Sequence, residues 1–112
     1  MTVEPKTKVI FRVFKDTPGI YLSEIDEVIA VFPEIPADYA GRYPSSYMHI
    51  GQHSSVDYLT LLSVTRPAKP EEYEELKQEL EGEPYNYVLE VRQRCTYAMN
   101  VARRENAKRT AA

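Results

Sequence analysis

At 112 residues the chain is long enough for one domain and too short for two separate cores, because domains commonly contain about 100–150 residues. With 43% hydrophobic residues, 28% charged residues and a net charge of −3, its composition is that of a soluble globular protein. No run approaches the ~20 apolar residues of a transmembrane helix. The single cysteine, Cys95, excludes an intramolecular disulfide and a cysteine-rich zinc site. We therefore expect one domain over residues 1–112, in the cytoplasm and without a membrane partner.

Charge is distributed unevenly along the chain. Seven glutamates and one lysine lie between residues 71 and 83, whereas six Lys or Arg residues and one glutamate lie between residues 92 and 112. Opposite blocks of this kind are usually solvated faces, and they can meet within a fold or between subunits. This balance does not indicate general nucleic-acid binding.

Two segments in the first third of the chain have the pattern of strands. Lys8–Lys15 (KVIFRVFK) alternates between two sets of side chains and is rich in β-branched and aromatic residues, which predicts a strand. Glu27–Phe32 (EVIAVF) predicts a second strand, which Pro33 should end because proline cannot donate a ladder hydrogen bond. The turn residues Asp16–Gly19 follow the first strand, and the short connection favours a long, irregular antiparallel hairpin.

The middle of the chain predicts less regular structure. Pro33–Pro44 contains three prolines and two tyrosines, which is typical of an ordered but irregular loop. Tyr58–Val64 (YLTLLSV) fits a strand or a short helix, and its threonine and valine favour the strand.

The last third predicts a helix, a strand and a basic tail. Pro70–Glu81 begins with proline and two glutamates, has apolar residues at helical spacing, and is followed by Gly82, as expected of a helix. Tyr85–Arg94 alternates and predicts a strand. After modest helical character around residues 97–102, we expect the core, about residues 8–104, to give way to a mobile tail over residues 105–112.

These elements predict the α+β class, with a small antiparallel sheet of about three to five strands and one main helix packed on a face. A single helix would leave apolar sheet surface uncovered. A homo-oligomer, a dimer or higher, would cover that surface.

The segment Ser45–Tyr58 (SSYMHIGQHSSVDY) concentrates hydroxyl, amide, imidazole and phenol groups, which suits recognition of a polar or nucleotide-like ligand. Satisfying backbone groups of the preceding loop is the alternative role for these side chains. Basic strand residues could add charge-assisted hydrogen bonds to an anion. The candidate ligand-binding residues are Ser45, Ser46, Tyr47, His49, Gln52, His53, Tyr58, Arg12 and Arg92.

Metal binding and catalysis fit this segment less well. His49 and His53 would share a helix face, but Gly51 and the flanking serines disfavour a helix, so no metal or other cofactor is predicted. A hydrolase would pair a histidine with Ser45 or Ser54, yet no carboxylate that would orient the imidazole can be identified. No catalytic residue is therefore assigned.

The cysteine has two interpretations. Arg92 and Arg94 could lower the pKa of the Cys95 thiol if they lay close to it. A half-buried small residue at the end of a strand is the favoured alternative.

The stretches VFPEIP, SYMHIGQH and PEEYEELKQELE, in this order over about residues 8–94, resemble a group of small uncharacterised proteins of Bacteroides-type bacteria, their phages and mobile elements. This chain differs from that pattern in the insertion Thr17–Asp26 and in the basic segment after Cys95. The resemblance implies a phage or mobile-element setting and supplies no mechanism.

Three functions follow in order of preference. The first is a non-enzymatic binding protein that sequesters a small polar or nucleotide-derived signalling molecule of bacterial defence in the host cytoplasm. The second is a protein–protein inhibitor of a host defence protein. The third is a small hydrolase that uses His49 and His53.

Overall fold

The computed structural model describes residues 6–48 and 52–111 of the chain. Its fold is of the predicted α+β class. The elements are β1 (Thr7–Phe14), β2 (Val28–Pro36), β3 (Pro44–Met48), β4 (Gln52–Ser55), α1 (Tyr58–Val64), β5 (Thr65–Pro67), α2 (Pro70–Glu81), β6 (Leu89–Val91) and α3 (Tyr97–Ala111), with a 3-10 turn at Leu22–Glu24.

The six strands within the described part form one sheet, in the order β4-β3-β2-β1-β5. The predicted hairpin between β1 and β2 is confirmed: the two strands are antiparallel, with Ile10 opposite Val31 and Arg12 opposite Ile29. The far edge of β1 is shared by two strands. Its first residues pair with β6 in parallel, and its last residues pair with β5 in antiparallel.

Alternation along β1 and β2 builds a core on each face of the sheet, because successive side chains in a strand point to opposite faces. Helix α2 covers one face and α1 covers the other. The α2 side contains Val9, Phe11, Val13, Ala30, Phe32, Tyr47, Ala68, Leu76 and Leu80. The α1 side contains Ile10, Phe14, Ile29, Val31 and Leu61. Within the described residues each face of the sheet therefore carries a helix, whereas the sequence predicted one main helix on one face.

Strand β2 extends past Pro33, where the sequence predicts its end. The pairing with β3 shifts register between Phe32 and Pro36, so Pro33 lies at an irregularity of the ladder. A strand can tolerate proline at such a position because no ladder hydrogen bond needs its missing N–H.

Of the two alternatives for Tyr58–Val64, the short helix is confirmed and the favoured strand is wrong. Asp57 caps α1: its carboxylate accepts hydrogen bonds from the Leu59 N–H at 3.2 Å and the Thr60 hydroxyl at 3.0 Å. Aspartate is a preferred N-cap residue, and Tyr58, Leu61 and Val64 then face the sheet at helical spacing.

The C-terminal elements differ in length from their prediction. Within Tyr85–Arg94 only β6 is a strand, because Asn86 adopts a left-handed conformation with φ 53° that interrupts extended backbone. Helix α3 in turn runs beyond residue 104, where the sequence places the end of the core. The Asn106 amide donates to the Glu34 carbonyl at 2.9 Å and Ala107 is buried. The packed part of the chain therefore includes the beginning of the predicted tail. No helix in the described ranges is long and apolar enough to cross a bilayer.

Helix α2 begins and ends as predicted, with Pro70 first and Gly82 following it. Its first turn is fixed by Glu72, whose carboxylate accepts hydrogen bonds from both terminal nitrogens of Arg66 and from the Lys69 N–H at 2.8 Å. The Arg66 hydrogen bonds, followed by that from Lys69, lower the pKa of the Glu72 carboxyl to about 2.

Glu72→Gln should destabilise the protein at neutral pH and lose this effect in acid. The carboxyl of an unfolded glutamate has a pKa of about 4.3, whereas that of Glu72 in the folded protein is about 2. The ionised carboxylate therefore stabilises the fold fully above about pH 4.3 and progressively less as the pH falls towards 2. Urea unfolding of the original protein and of the Glu72→Gln variant from pH 7 to pH 2 measures the difference between their free energies of unfolding. Glu75→Gln, at an exposed position of the same helix, is the control. A difference in free energy of unfolding that does not change with pH would contradict the lowered pKa of Glu72.

Candidate functional site

Among the six predicted site residues whose side chains the structure describes, two, Arg12 and Tyr58, lie in one groove. Arg92 lies outside that groove and pairs with Glu90 at 3.1 Å. His49 lies outside the described residues. The backbone of Gln52 and His53 pairs with Met48 and Tyr47 in the hairpin of β3 and β4, and their side chains lie outside the described part.

The serines and the tyrosine of β3 contribute to packing. The Ser46 hydroxyl is buried and lies 3.0 Å from the Ser54 carbonyl oxygen, to which it donates. Tyr47 is 1% exposed, and its ring meets that of Tyr85 edge-on in the α2-side core. Ser45 is half-buried and pairs with Phe32 and Ser55 across the sheet.

The groove has a volume of about 510 Å³ and combines four parts of the chain. They are the α1 side of β1, the connection between β2 and β3, helix α1, and the chain from the end of β6 through the segment before α3 into α3 itself, which contributes Asn100, Arg103 and Arg104. We call it the arginine groove. Its lining includes five arginines and one carboxylate, that of Asp57: the arginines are Arg12, Arg42, Arg94, Arg103 and Arg104.

Arg12 is 7% exposed, although it carries a charge. Its Nε donates to the Thr65 hydroxyl at 2.9 Å and its Nη2 donates to the Thr65 carbonyl at 2.9 Å. Its Nη1 has no hydrogen-bond partner among the described residues. Burial lowers the pKa of the Arg12 guanidinium, and the neighbouring Tyr58 partly opposes this, but arginine stays protonated at neutral pH. Arg12 Nη1 is not one of the buried side-chain atoms that lack a partner, and Arg12 lines the groove, so this end of the guanidinium is available to an anion that enters the groove.

Arg103 has a different role, because backbone carbonyls satisfy its guanidinium. It is 5% exposed and donates to the carbonyls of Gly41 at 2.8 Å, Pro33 at 2.9 Å and Arg42 at 3.2 Å. These three bonds, which we call the Arg103 clamp, tie α3 to the connection between β2 and β3. They thereby position Arg42 and Tyr43 at the groove.

Gly41 permits the close approach that the Arg103 clamp requires. Its φ is 70°, a left-handed backbone conformation that residues other than glycine rarely adopt. A Cβ atom at this position would lie 2.9 Å from the Arg104 Cα and 3.1 Å from the Ala107 Cβ. The connection can therefore lie directly against α3 only with glycine here.

The other three arginines, Arg42, Arg94 and Arg104, are exposed at the groove. Their guanidinium groups form no hydrogen bond or ion pair with any residue that the structure describes. The Asp57 carboxylate is occupied as the cap of α1. The groove thus presents guanidinium groups that protein carboxylates leave free.

The polar groups between these arginines are neutral. The Tyr58 hydroxyl accepts a hydrogen bond from the Cys95 N–H at 3.2 Å, and the Cys95 thiol donates to the side-chain Oδ1 of Asn100 at 3.3 Å. Burial raises the pKa of the Cys95 thiol, and Arg103 only partly offsets it. Cys95 is half-buried as predicted, but it lies in the segment between β6 and α3 and not at the end of a strand, and its raised pKa does not support a thiol activated by Arg92 and Arg94.

A second cavity lies at the other side of the molecule and is smaller, about 250 Å³. Its acidic lining includes Glu72, which Arg66 neutralises. Within residues 6–48 and 52–111, no three His, Cys, Asp or Glu side chains come together as a metal site would need.

Sequence reasoning missed Arg42, Arg103 and Arg104, and it considered Arg94 among the basic strand residues that could bind an anion without including it in the candidate site. The signal was the basic segment from residue 92 onwards, which the composition shows but which we interpreted as a solvated face. Arg42 lies in the proline-rich connection and becomes part of the groove only through the Arg103 clamp.

No family model, no curated protein and no solved structure matches this chain. The groove itself is therefore the basis for a functional assignment.

Arg103→Met should lower the free energy of unfolding by about 3 kcal/mol, because it leaves buried carbonyls without donors and removes charge-assisted hydrogen bonds. Arg104→Met is the matched control, since Arg104 is the exposed neighbour on the same helix, and it should change stability by less than about 0.5 kcal/mol. Urea denaturation measures both. Equal losses for the two variants would contradict the Arg103 clamp.

Proposed function

We propose that this protein binds a small polyanionic ligand, such as a phosphate-containing signalling molecule, in the arginine groove and holds it without transforming it. The observation that carries the proposal is the buried Arg12 guanidinium, whose Nη1 has no protein partner among the described residues. Arginine suits this role because its planar donor fork matches phosphate and carboxylate oxygens. A volume of about 510 Å³ is within the range of about 300–1,000 Å³ of small-molecule sites.

The chemistry of the lining supports binding rather than catalysis. General-base catalysis needs a group that can lose and regain a proton near neutral pH, and arginine cannot. The Asp57 carboxylate accepts two hydrogen bonds as a helix cap, and the raised pKa of Cys95 keeps its thiol protonated. These features favour a sequestering protein over a hydrolase.

The biological setting that we propose follows from the sequence resemblance to proteins of Bacteroides-type bacteria, their phages and mobile elements. In that setting the ligand would be a signalling molecule of bacterial defence, held in the host cytoplasm. Homo-oligomer formation stays part of this proposal, and native mass spectrometry would report it together with any retained ligand.

Isothermal titration calorimetry of the full chain with inorganic tripolyphosphate and ATP tests the proposal, with adenosine as the uncharged control. We expect both anions to bind, more weakly as salt is raised, and adenosine to bind far more weakly. Arg94→Met should weaken binding at least about tenfold through the loss of a charge-assisted contact. Arg92→Met is the matched control, because Arg92 pairs with Glu90 outside the groove.

Arg12→Met should weaken binding as Arg94→Met does, and its unfolding curve separates loss of binding from loss of fold. Recovery of ATP unchanged after long incubation would support a non-enzymatic role. Failure of every anion to bind, or equal binding of adenosine, would contradict the proposal.

A specific observation also favours the second function, inhibition of a host protein. Tyr21 is 74% exposed and Leu22 is 86% exposed, and both lie in the insertion Thr17–Asp26. Large apolar side chains held in solvent are typical of protein interfaces. The phage or mobile-element setting would supply a defence protein as the partner.

For this second function, the protein should protect a phage from host defence in an infection assay. The double variant Tyr21→Ser with Leu22→Ser should abolish that protection while leaving the unfolding midpoint and anion binding unchanged. The corresponding control is Tyr39→Ser, at a 93% exposed tyrosine outside the insertion. Full activity of the double variant would exclude the insertion as the inhibitory surface.

A further inference from the structure

Cations make up only part of the arginine groove. Four large apolar or aromatic side chains also line it, Tyr43, Tyr58, Leu59 and Leu62, and Tyr43 and Leu59 lie substantially in solvent. Tyr43 is 42% exposed and Leu59 is 77% exposed. Binding of inorganic phosphate alone requires the cations but no contact with these apolar and aromatic side chains. The ligand should therefore carry a flat or apolar part beside its charge.

Two carboxamide side chains, Gln93 and Asn100, complete the lining. The exposed Gln93 amide makes no hydrogen bond within residues 6–48 and 52–111. The Asn100 Oδ1 accepts from the Cys95 thiol, which leaves its amide N–H groups as donors. Carboxamides combine donors with an acceptor and can pair with the polar edge of a heterocycle.

The cationic groups of the groove suit the phosphates of a nucleotide, and the apolar and carboxamide groups suit the face and the polar edge of its base. We propose that the ligand of the arginine groove is a nucleoside phosphate, with its phosphates at the free arginines and its base against Tyr43 and the exposed Leu59 of α1. This inference rests on the proposed function and assigns Tyr43 as the specificity-determining residue. Base stacking on an aromatic ring contributes measurably to nucleotide affinity and tolerates different bases.

The Arg103 clamp explains how Tyr43 can serve this purpose. Arg103 holds the carbonyl of Arg42, the residue before Tyr43, and the Asp38 carboxylate accepts the Tyr43 N–H at 3.1 Å. The backbone of the tyrosine is thus fixed from two sides while its ring remains partly in solvent. A preorganised ring loses little freedom when a base stacks on it.

The experiment compares ATP with inorganic tripolyphosphate, a ligand of similar charge without a base, on the full chain by calorimetry. We expect ATP to bind at least about tenfold more tightly. Tyr43→Ala should remove about tenfold of the ATP affinity and leave tripolyphosphate binding unchanged, whereas Tyr43→Phe should retain ATP binding. Tyr39→Ala, in the same connection but outside the groove, should have no effect on either ligand.

Equal affinity for ATP and tripolyphosphate, unchanged by Tyr43→Ala, would overturn the base site and leave the proposed anion binding intact. Absence of binding by both ligands would overturn the two proposals together. A single-stranded oligonucleotide of ten residues is the remaining arm. If it binds more tightly than ATP, the groove belongs to a strand-binding surface and the small-molecule inference is overturned.

Discussion

The Arg103 clamp is the interaction on which the rest of this structure depends. One buried guanidinium donates to three backbone carbonyls that lie 61 to 70 residues earlier in the chain. Those carbonyls belong to the end of β2 and to the connection that follows it, a stretch whose prolines prevent regular pairing. Without such a donor the carbonyls would be buried and unsatisfied, which is costly. The clamp therefore both orders an irregular segment and forms one wall of the arginine groove.

Arg12 and Arg103 show how the same residue type serves stability in one place and recognition in another. Both are nearly fully buried, but Arg103 donates from all three of its nitrogens, whereas Arg12 donates to the described residues only from Nε and Nη2. A fully satisfied buried arginine stabilises the fold. A partly satisfied one retains binding capacity that an anion can use, at some cost to the free protein.

Local patterns in the sequence predicted the fold well where one element decides its own structure. Alternation identified β1 and most of β2, and proline, acidic and glycine positions delimited α2. At Tyr58–Val64 the sequence fitted a strand or a short helix and its composition favoured the strand. The segment is a helix, which the Asp57 cap stabilises. The candidate site was less predictable for a physical reason. The groove joins residues from positions 12 to 104, and no local period reports which distant segments will meet.

The free arginines of the groove are not explained by a shortage of acidic residues. The chain has 17 Asp and Glu residues and a net charge of −3, and arginines outside the groove do find carboxylates, as Arg66 and Arg92 show. Yet Arg12, Arg42, Arg94 and Arg104 converge on one groove without an ion pair among the described residues. Like charges gathered in this way repel one another and reduce stability. Such a cost is typical of functional sites, where local stability is given up for binding, and here it favours an anionic ligand from outside the chain.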